Sequence, residues 1–183
     1  MKTKIMMFGL AGILSLSLIM AGIASAAEVK NYVFGSGPMG GPWRIGVGAG
    51  VQVLNEQLKG KYSFTAAASG GSVENVRRMM GGEYHTSWAH VNNMYDAWNG
   101  VGLFEGQKPF KEVRVLAYLV DQAINIATLA KSPIKNLSDL AGKKVNIGPA
   151  GSGGIPIAKA IFNALGIADK VKIVNVSFEA GAQ

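Results

Sequence analysis

Residues 31–58 read NYVFGSGPMGGPWRIGVGAGVQVLNEQL. The first of these residues, 31–34, are strand formers and predict a short β-strand that ends at Gly35. A glycine-rich turn follows, and Pro42 is typical of the first helical position, where its missing N–H costs nothing. Apolar side chains then recur at helical spacing, which predicts a helix over residues 42–58. A strand, a glycine-rich turn and a helix in this order form the basic unit of α/β folds.

The same unit recurs along the chain. Further strands are predicted at 62–68, 85–91, 145–147 and 171–176, further helices at 73–80, 92–98 and 155–165, and a single helical turn at 136–142. Ser72 is predicted to be the N-cap of the second helix. This alternation indicates an α/β fold with mostly parallel strands. Residues 113–130 break the pattern with two successive strand-like runs, at which a chain can pass from one α/β lobe into another.

The N-terminus has the pattern of a secretory signal peptide, residues 1–26. Two lysines precede an uncharged apolar run over residues 5–23, and Ala24 and Ala26 supply the small residues of a cleavage site before Ala27. The alternative is a transmembrane anchor, which needs about 20 apolar residues. Cleavage would lower the formal charge from +7 to +5. We therefore expect an exported protein.

The composition argues against several classes of function. The chain has no cysteine, so it has neither a disulfide framework nor a lipid-bearing cysteine after the signal, and we expect a protein free in a periplasm. Its basic residues are scattered without interleaved aromatic residues, which argues against nucleic-acid binding. His85 and His90 are five residues apart and are poorly placed for a shared metal ion. No nucleophile motif is present, so we expect no enzyme.

The glycine-rich stretch over residues 35–40 matches the G-x-G-x-x-G dinucleotide pattern. That pattern requires an acidic residue at the end of the second strand. The second strand ends instead in alanines and Ser69. We therefore expect no cofactor.

Three loops share one design, since each follows a predicted strand and opens a predicted helix. They are residues 35–43, 69–72 and 148–154. Glycine-rich turns at helix starts present free N–H groups and the positive end of the helix dipole, which suits a carboxylate. The alternative for the third loop is a tight turn that binds nothing. In open α/β sheets such loops converge at the carboxyl ends of the strands.

Five short motifs resemble the TAXI family of TRAP-transporter solute receptors. They are the turn at residues 33–41, the G-G-S-V-E-N sequence at 70–75, the Y-D-A-W-N-G sequence at 95–100, the L-S-D-L-A-G-K-K-V sequence at 137–145 and the G-P-A-G-S-G sequence at 148–153. They occur in the family's order and spacing, over essentially all of the mature chain.

The resemblance implies a type II periplasmic-binding-protein fold, in which two α/β lobes close on a ligand by hinge motion. The implied boundaries are a first lobe at 27–117, a crossover hinge at 118–124 and a partial second lobe at 125–183. Family members are about twice this length, so the resemblance also implies that the second lobe is incomplete. The implied partners are a small carboxylate, either glutamate-like or a dicarboxylate, and TRAP membrane subunits. The receptor is expected to be a monomer that meets the membrane only through these subunits.

The candidate ligand-binding residues lie on the three loops and after the third strand. They are Gly40, Gly41, Trp43, Gly70, Gly71, Ser72, His90, Asn92, Gly151, Ser152 and Gly153. Family members often have Gly-Thr-Tyr-Tyr where this chain has Gly-Pro-Trp-Arg at residues 41–44, and Gln-Ser-Asp where it has His-Val-Asn at residues 90–92. The ligand of a family member therefore cannot be assigned to this chain. Arg44 either pairs with a second carboxylate or lies on the helix surface.

Two other functions fit the sequence. One is a binding protein of the same fold that serves an ABC importer or a sensor, which neighbouring genes would distinguish. The other is an exported enzyme on a bilobal scaffold, which would need an acid–base pair in the cleft. The sequence shows no such pair.

Overall fold

The computed structural model describes residues 28–181, and the predicted signal peptide lies outside these residues. The predicted mixed α/β fold with parallel strands is confirmed. In chain order the strands and helices are β1 Lys30–Gly35, α1 Pro42–Gln57, β2 Tyr62–Ala67, α2 Ser72–Met80, β3 Thr86–Ser87, α3 Val91–Asn99, β4 Lys144–Asn146, α4 Gly154–Ala164, β5 Lys172–Val174 and α5 Phe178–Gly181. Short 3₁₀ helices lie at Gly102–Phe104, Leu137–Leu140 and Ala168–Lys170.

The first sheet has the strand order β2-β1-β3, and both pairings are parallel. Phe34 of β1 aligns with Ala66 of β2 and with Thr86 of β3. Helix α1 is fixed to β2 through Asn55, whose side-chain amide donates to the Phe64 carbonyl at 2.9 Å and accepts from the Phe64 N–H at 2.8 Å. These two bonds satisfy backbone groups on the outer edge of the sheet.

Helices α2 and α3 enclose one hydrophobic core. Its buried side chains are Val73, Val76, Ala97 and Phe104. The 3₁₀ helix supplies Phe104, which is fully buried. This core holds α2 and α3 together beside the first sheet, so the starts of both helices are fixed relative to each other.

The second sheet pairs β4 with β5 in parallel, with Val145 opposite Ile173. A separate core lies against it, with the buried side chains Leu140, Ile147, Phe162, Ile167 and Val171. Phe162 of α4 is 2% exposed, so α4 covers one face of this sheet. The chain therefore has two parallel sheets, each with its own core, as the strand–helix alternation predicts.

The prediction of strands within residues 113–130 is wrong. No residue of this segment belongs to a strand, and large apolar side chains such as Leu116 and Leu129 are more than 80% exposed. A strand is stable only when a neighbouring strand pairs with its backbone, and none of the described strands pairs with this segment. The third strand is also shorter than predicted, since only Thr86 and Ser87 pair with β1.

The prediction of Ser72 as an N-cap is wrong as well. Gly71 is the N-cap residue of α2, with φ at +125°, and no side chain caps this helix. Ser72 is 1% exposed, and its hydroxyl accepts hydrogen bonds from the His90 N–H and from the Asn93 side chain. Its oxygen is therefore occupied by α3 rather than by the first turn of α2.

Within residues 28–181 no helix is long and apolar enough to cross a membrane.

Candidate functional site

Three loops at the carboxyl ends of strands form the candidate site. We name them L1 (residues 36–41, after β1), L2 (residues 68–71, after β2) and L3 (residues 147–153, after β4). L1 and L2 lie at the same edge because β1 and β2 are parallel neighbours. L3 belongs to the second sheet and meets L2 in direct contact.

The contact between L2 and L3 is made at the start of α2. The N–H groups of Val73 and Glu74 both donate to the carbonyl oxygen of Gly151, at 3.0 and 3.3 Å. The side-chain carboxylate of Glu74 accepts the N–H of Gly70 at 2.7 Å, and the Ser69 hydroxyl accepts the N–H of Gly71 at 3.2 Å. The N–H groups of Gly70, Gly71, Val73 and Glu74 are therefore used within the chain.

L3 differs in this respect. The Ser152 hydroxyl is buried and accepts the N–H of Gly154 at 3.2 Å. The N–H groups of Gly151 and Gly153 form no hydrogen bond with any residue in the described range. They lie directly before α4, so they belong to a helix start with the positive end of its dipole. L3 thus carries two N–H groups, at the start of α4, that are unpaired within the described residues.

Buried polar side chains hold His90 beside these loops. The His90 N–H donates to Ser72 Oγ at 2.8 Å, and the fully buried Asn93 donates to the same oxygen at 2.9 Å. His90 Nε2 lies 2.6 Å from the carbonyl oxygen of the Gln122 side chain, which can only accept. Nε2 is therefore the nitrogen that carries the proton, and in the neutral ring Nδ1 is an acceptor.

Trp43 forms an aromatic wall at the same place. Its ring centroid lies 5.0 Å from that of His90, and the two planes are nearly perpendicular at 83°. The ring centroid of Trp88 lies 6.0 Å from that of Trp43, and these two rings also meet edge-on, with an angle of 73° between their planes. Trp43 is held at the start of α1, two residues after the N-cap Gly41. The wall therefore stands at the start of α1, directly after L1, and His90 connects it to Ser72 at the start of α2.

A second network of buried hydrogen bonds supports L1 and L2. Asn75 is fully buried, and its side-chain amide donates to the carbonyl oxygens of Ser36 at 2.7 Å and Trp88 at 2.8 Å. The hydroxyl of Ser36 donates to the Ala67 carbonyl at 2.6 Å. Together these bonds tie the ends of β1, β2 and β3 to α2. The Oδ1 atom of Asn75 is buried and has no hydrogen-bond partner among residues 28–181.

Three charged side chains near the loops make contacts within the chain. Arg44 donates from Nη1 to the Ala66 carbonyl at 2.9 Å, so its guanidinium lies against β2. Arg78 forms an ion pair with Glu74 at 2.8 Å, and this hydrogen bond raises the pKa of Arg78. The carboxylate of Glu179 in α5 touches Gly40 of L1.

The structure places most of the predicted residues in one cluster. Trp43, Gly70, Gly71, Ser72, His90, Gly151, Ser152 and Gly153 are linked by direct contacts. Gly40 and Gly41 lie on L1 before Trp43, and Asn92 is exposed on α3 with a 3.3 Å hydrogen bond to Asn93. The sequence patterns did not reveal the supporting residues Asn75, Asn93 and Gln122. Of these, only Asn75 lies within one of the five motifs, the G-G-S-V-E-N sequence at residues 70–75.

One comparison with known proteins identifies a family. The model of the NMT1-like family matches residues 34–183, which include the end of β1, all of β2 to β5 and all three loops. This family is of the periplasmic solute-binding type, and the mixed α/β fold with parallel strands agrees with it. Because the match covers well over half of the sequence, the chain belongs to the NMT1-like family.

Proposed function

We propose that this protein is an extracytoplasmic receptor that captures a small organic acid and delivers it to the membrane subunits of a TRAP transporter. The NMT1-like family makes it a solute-binding protein in general terms. The carboxylate class of the solute and the TRAP partner rest on the resemblance of its motifs to TAXI receptors. No cofactor is part of this proposal.

The structural observation that supports a carboxylate is the presence of unpaired backbone N–H groups in L3. Its Gly151 and Gly153 N–H groups are unpaired within the described residues and stand at the start of α4. Such N–H groups, together with the helix dipole, bind anions without an arginine. In L2, by contrast, the N–H groups of Gly70 and Gly71 are occupied by Glu74 and Ser69, and the carbonyl of Gly151 accepts those of Val73 and Glu74 in α2.

We therefore propose different roles for the residues of the cluster. Gly151, Ser152 and Gly153 hold the carboxylate, and Trp43 is the apolar wall against the solute's carbon atoms. His90 and Asn92 select the solute, because a neutral His90 offers an acceptor at Nδ1 and Asn92 is exposed.

The remaining residues position this site rather than contact the solute. Gly70, Gly71 and Ser72 use their polar groups inside the chain. Gly40 and Gly41 shape L1 so that Trp43 reaches His90. Ser72 in particular fixes the backbone of His90, so its effect on binding would be indirect.

Titration calorimetry with a panel of mono- and dicarboxylates, a neutral sugar and an inorganic cation tests the proposal. We expect saturable binding of at least one carboxylate and none of the sugar. His90→Gln should change the order of affinities within the panel. Arg44→Ala is the matched control and should leave that order unchanged, because Arg44 donates to β2. Tight binding of the sugar or the cation, with no carboxylate bound, would refute the proposal.

The TRAP partner needs its own test. Transport of the bound acid into vesicles that contain TRAP membrane subunits should require this receptor and an ion gradient. Uptake that depends instead on ATP and an ABC ATPase would assign the receptor to the other class of importer.

A further inference from the structure

Four glycines face one another where L2 meets L3. We name Gly70, Gly71, Gly151 and Gly153 the glycine seam. On the L2 side, a Cβ atom on Gly70 would collide with the carbonyl oxygen of Ala150, and one on Gly71 would lie 3.4 Å from the Cα of Ser152. L2 therefore approaches the L3 backbone more closely than most side chains would permit.

The L3 side of the seam is equally tight. A Cβ atom on Gly151 would lie 2.9 Å from the Cβ of Glu74. A Cβ atom on Gly153 would lie 2.7 Å from the Cβ of Ser72 and 2.6 Å from Nδ1 of His90. Distances below 3.0 Å require one partner to move. Since Gly153 has an ordinary φ of −68°, this crowding, and not backbone strain, is what favours glycine there.

Hydrogen bonds close the seam. The start of α2 has no side-chain cap, and the Gly151 carbonyl takes that role by accepting from both Val73 and Glu74. A carbonyl oxygen carries partial negative charge and is favoured at the positive end of the helix dipole. The two loops thus fit each other in shape and in polarity.

We infer that the glycine seam is a latch, which joins the loops of the two sheets through contacts within the chain alone. The latch holds the backbone of L3 in place through the carbonyl oxygen of Gly151. Because this contact uses an acceptor of L3, the N–H groups of Gly151 and Gly153 stay unpaired within the described residues. The buried bonds from Asn93 and His90 to Ser72 pin the first turn of α2 on which the latch closes. The latch follows from contacts within the chain and does not depend on the class of solute.

Amide hydrogen exchange, followed residue by residue by NMR on the solute-free protein, tests the latch. The N–H groups in the first turn of a helix have no partner within the helix and normally exchange quickly. We expect the Val73 and Glu74 amides to exchange about tenfold or more slowly than unprotected amides, because Gly151 accepts both. Unprotected exchange at both residues would overturn the inference without any variant.

Two substitutions then break the latch from opposite sides. Gly153→Ala and Gly70→Ala should each accelerate exchange at Val73 and Glu74 by at least about fivefold. Gly50→Ala in α1 is the matched control, since a Cβ atom there meets nothing within 4 Å, and it should leave these amides unchanged. Protection that survives both seam substitutions in folded protein would also overturn the inference. Because no solute is present, a negative binding panel would not affect this result.

Discussion

The substitution Asn93→Ala tests the polar support of the site most sharply. Asn93 is fully buried, and its side chain donates to Ser72 Oγ at 2.9 Å. Loss of a buried hydrogen bond costs about 1 kcal/mol, and the space left by the amide adds about 1–2 kcal/mol. We therefore expect the free energy of unfolding to fall by about 2–3 kcal/mol. Asn99→Ala is the matched control, because Asn99 is exposed on the same helix and its side chain donates to the Tyr95 carbonyl rather than to Asn93.

Urea denaturation followed by circular dichroism measures both variants. We expect Asn99→Ala to lie within about 0.5 kcal/mol of the wild type, as is usual for exposed positions. The same experiment should show an unchanged slope for Asn93→Ala, since the folded structure is retained. Equal losses in the two variants would refute the reasoning that the buried amide, and not the helix position, supplies the stability.

Three further predictions concern residues elsewhere in the chain. Ser152→Ala should weaken carboxylate binding by about ten- to a hundredfold in calorimetry, whereas the exposed Ser138→Ala should not; equal affinities would count against the L3 assignment. Gly50→Ala should raise the free energy of unfolding by about 1 kcal/mol through helix propensity, and a loss would contradict this. Asp139 accepts two backbone N–H groups, which lower the pKa of its carboxyl. Its ionised form therefore stabilises the folded state above the unfolded pKa of about 3.9, and this contribution is lost as the pH falls through the lower folded value. Denaturant midpoints should thus show Asp139→Asn to be less stable than wild type at pH 7, with the difference vanishing in strong acid; a difference independent of pH would refute this.

Local patterns were sufficient to predict most of the fold. The strand before Gly35, the helix from Pro42 and the later strand–turn–helix units depend on propensity and spacing within a few residues. The same patterns located the three loops, because a loop between a strand and a helix is defined by its neighbours. The prediction of strands within residues 113–130 failed, since strand formation depends on a partner that propensity does not reveal.

The supporting contacts of the site could not be predicted in this way. Ser72 resembles an N-cap by its position, yet its hydroxyl binds His90 and Asn93, which lie 18 and 21 residues further along the chain. The capping of α2 by Gly151 joins groups from different sheets. Adjacent asparagines at 92 and 93 are alike in sequence, and only burial separates the supporting residue from the exposed one.

The central claim is that L3 binds the carboxylate of the solute, and an NMR titration tests it most directly. A ¹⁵N-labelled sample is titrated with a carboxylate that calorimetry has identified as a ligand, and the backbone amides are followed individually. We predict saturable shifts at the Gly151 and Gly153 amides, with the same dissociation constant as in calorimetry. Saturation with no change at these two amides, while shifts cluster elsewhere on the chain, would contradict the account.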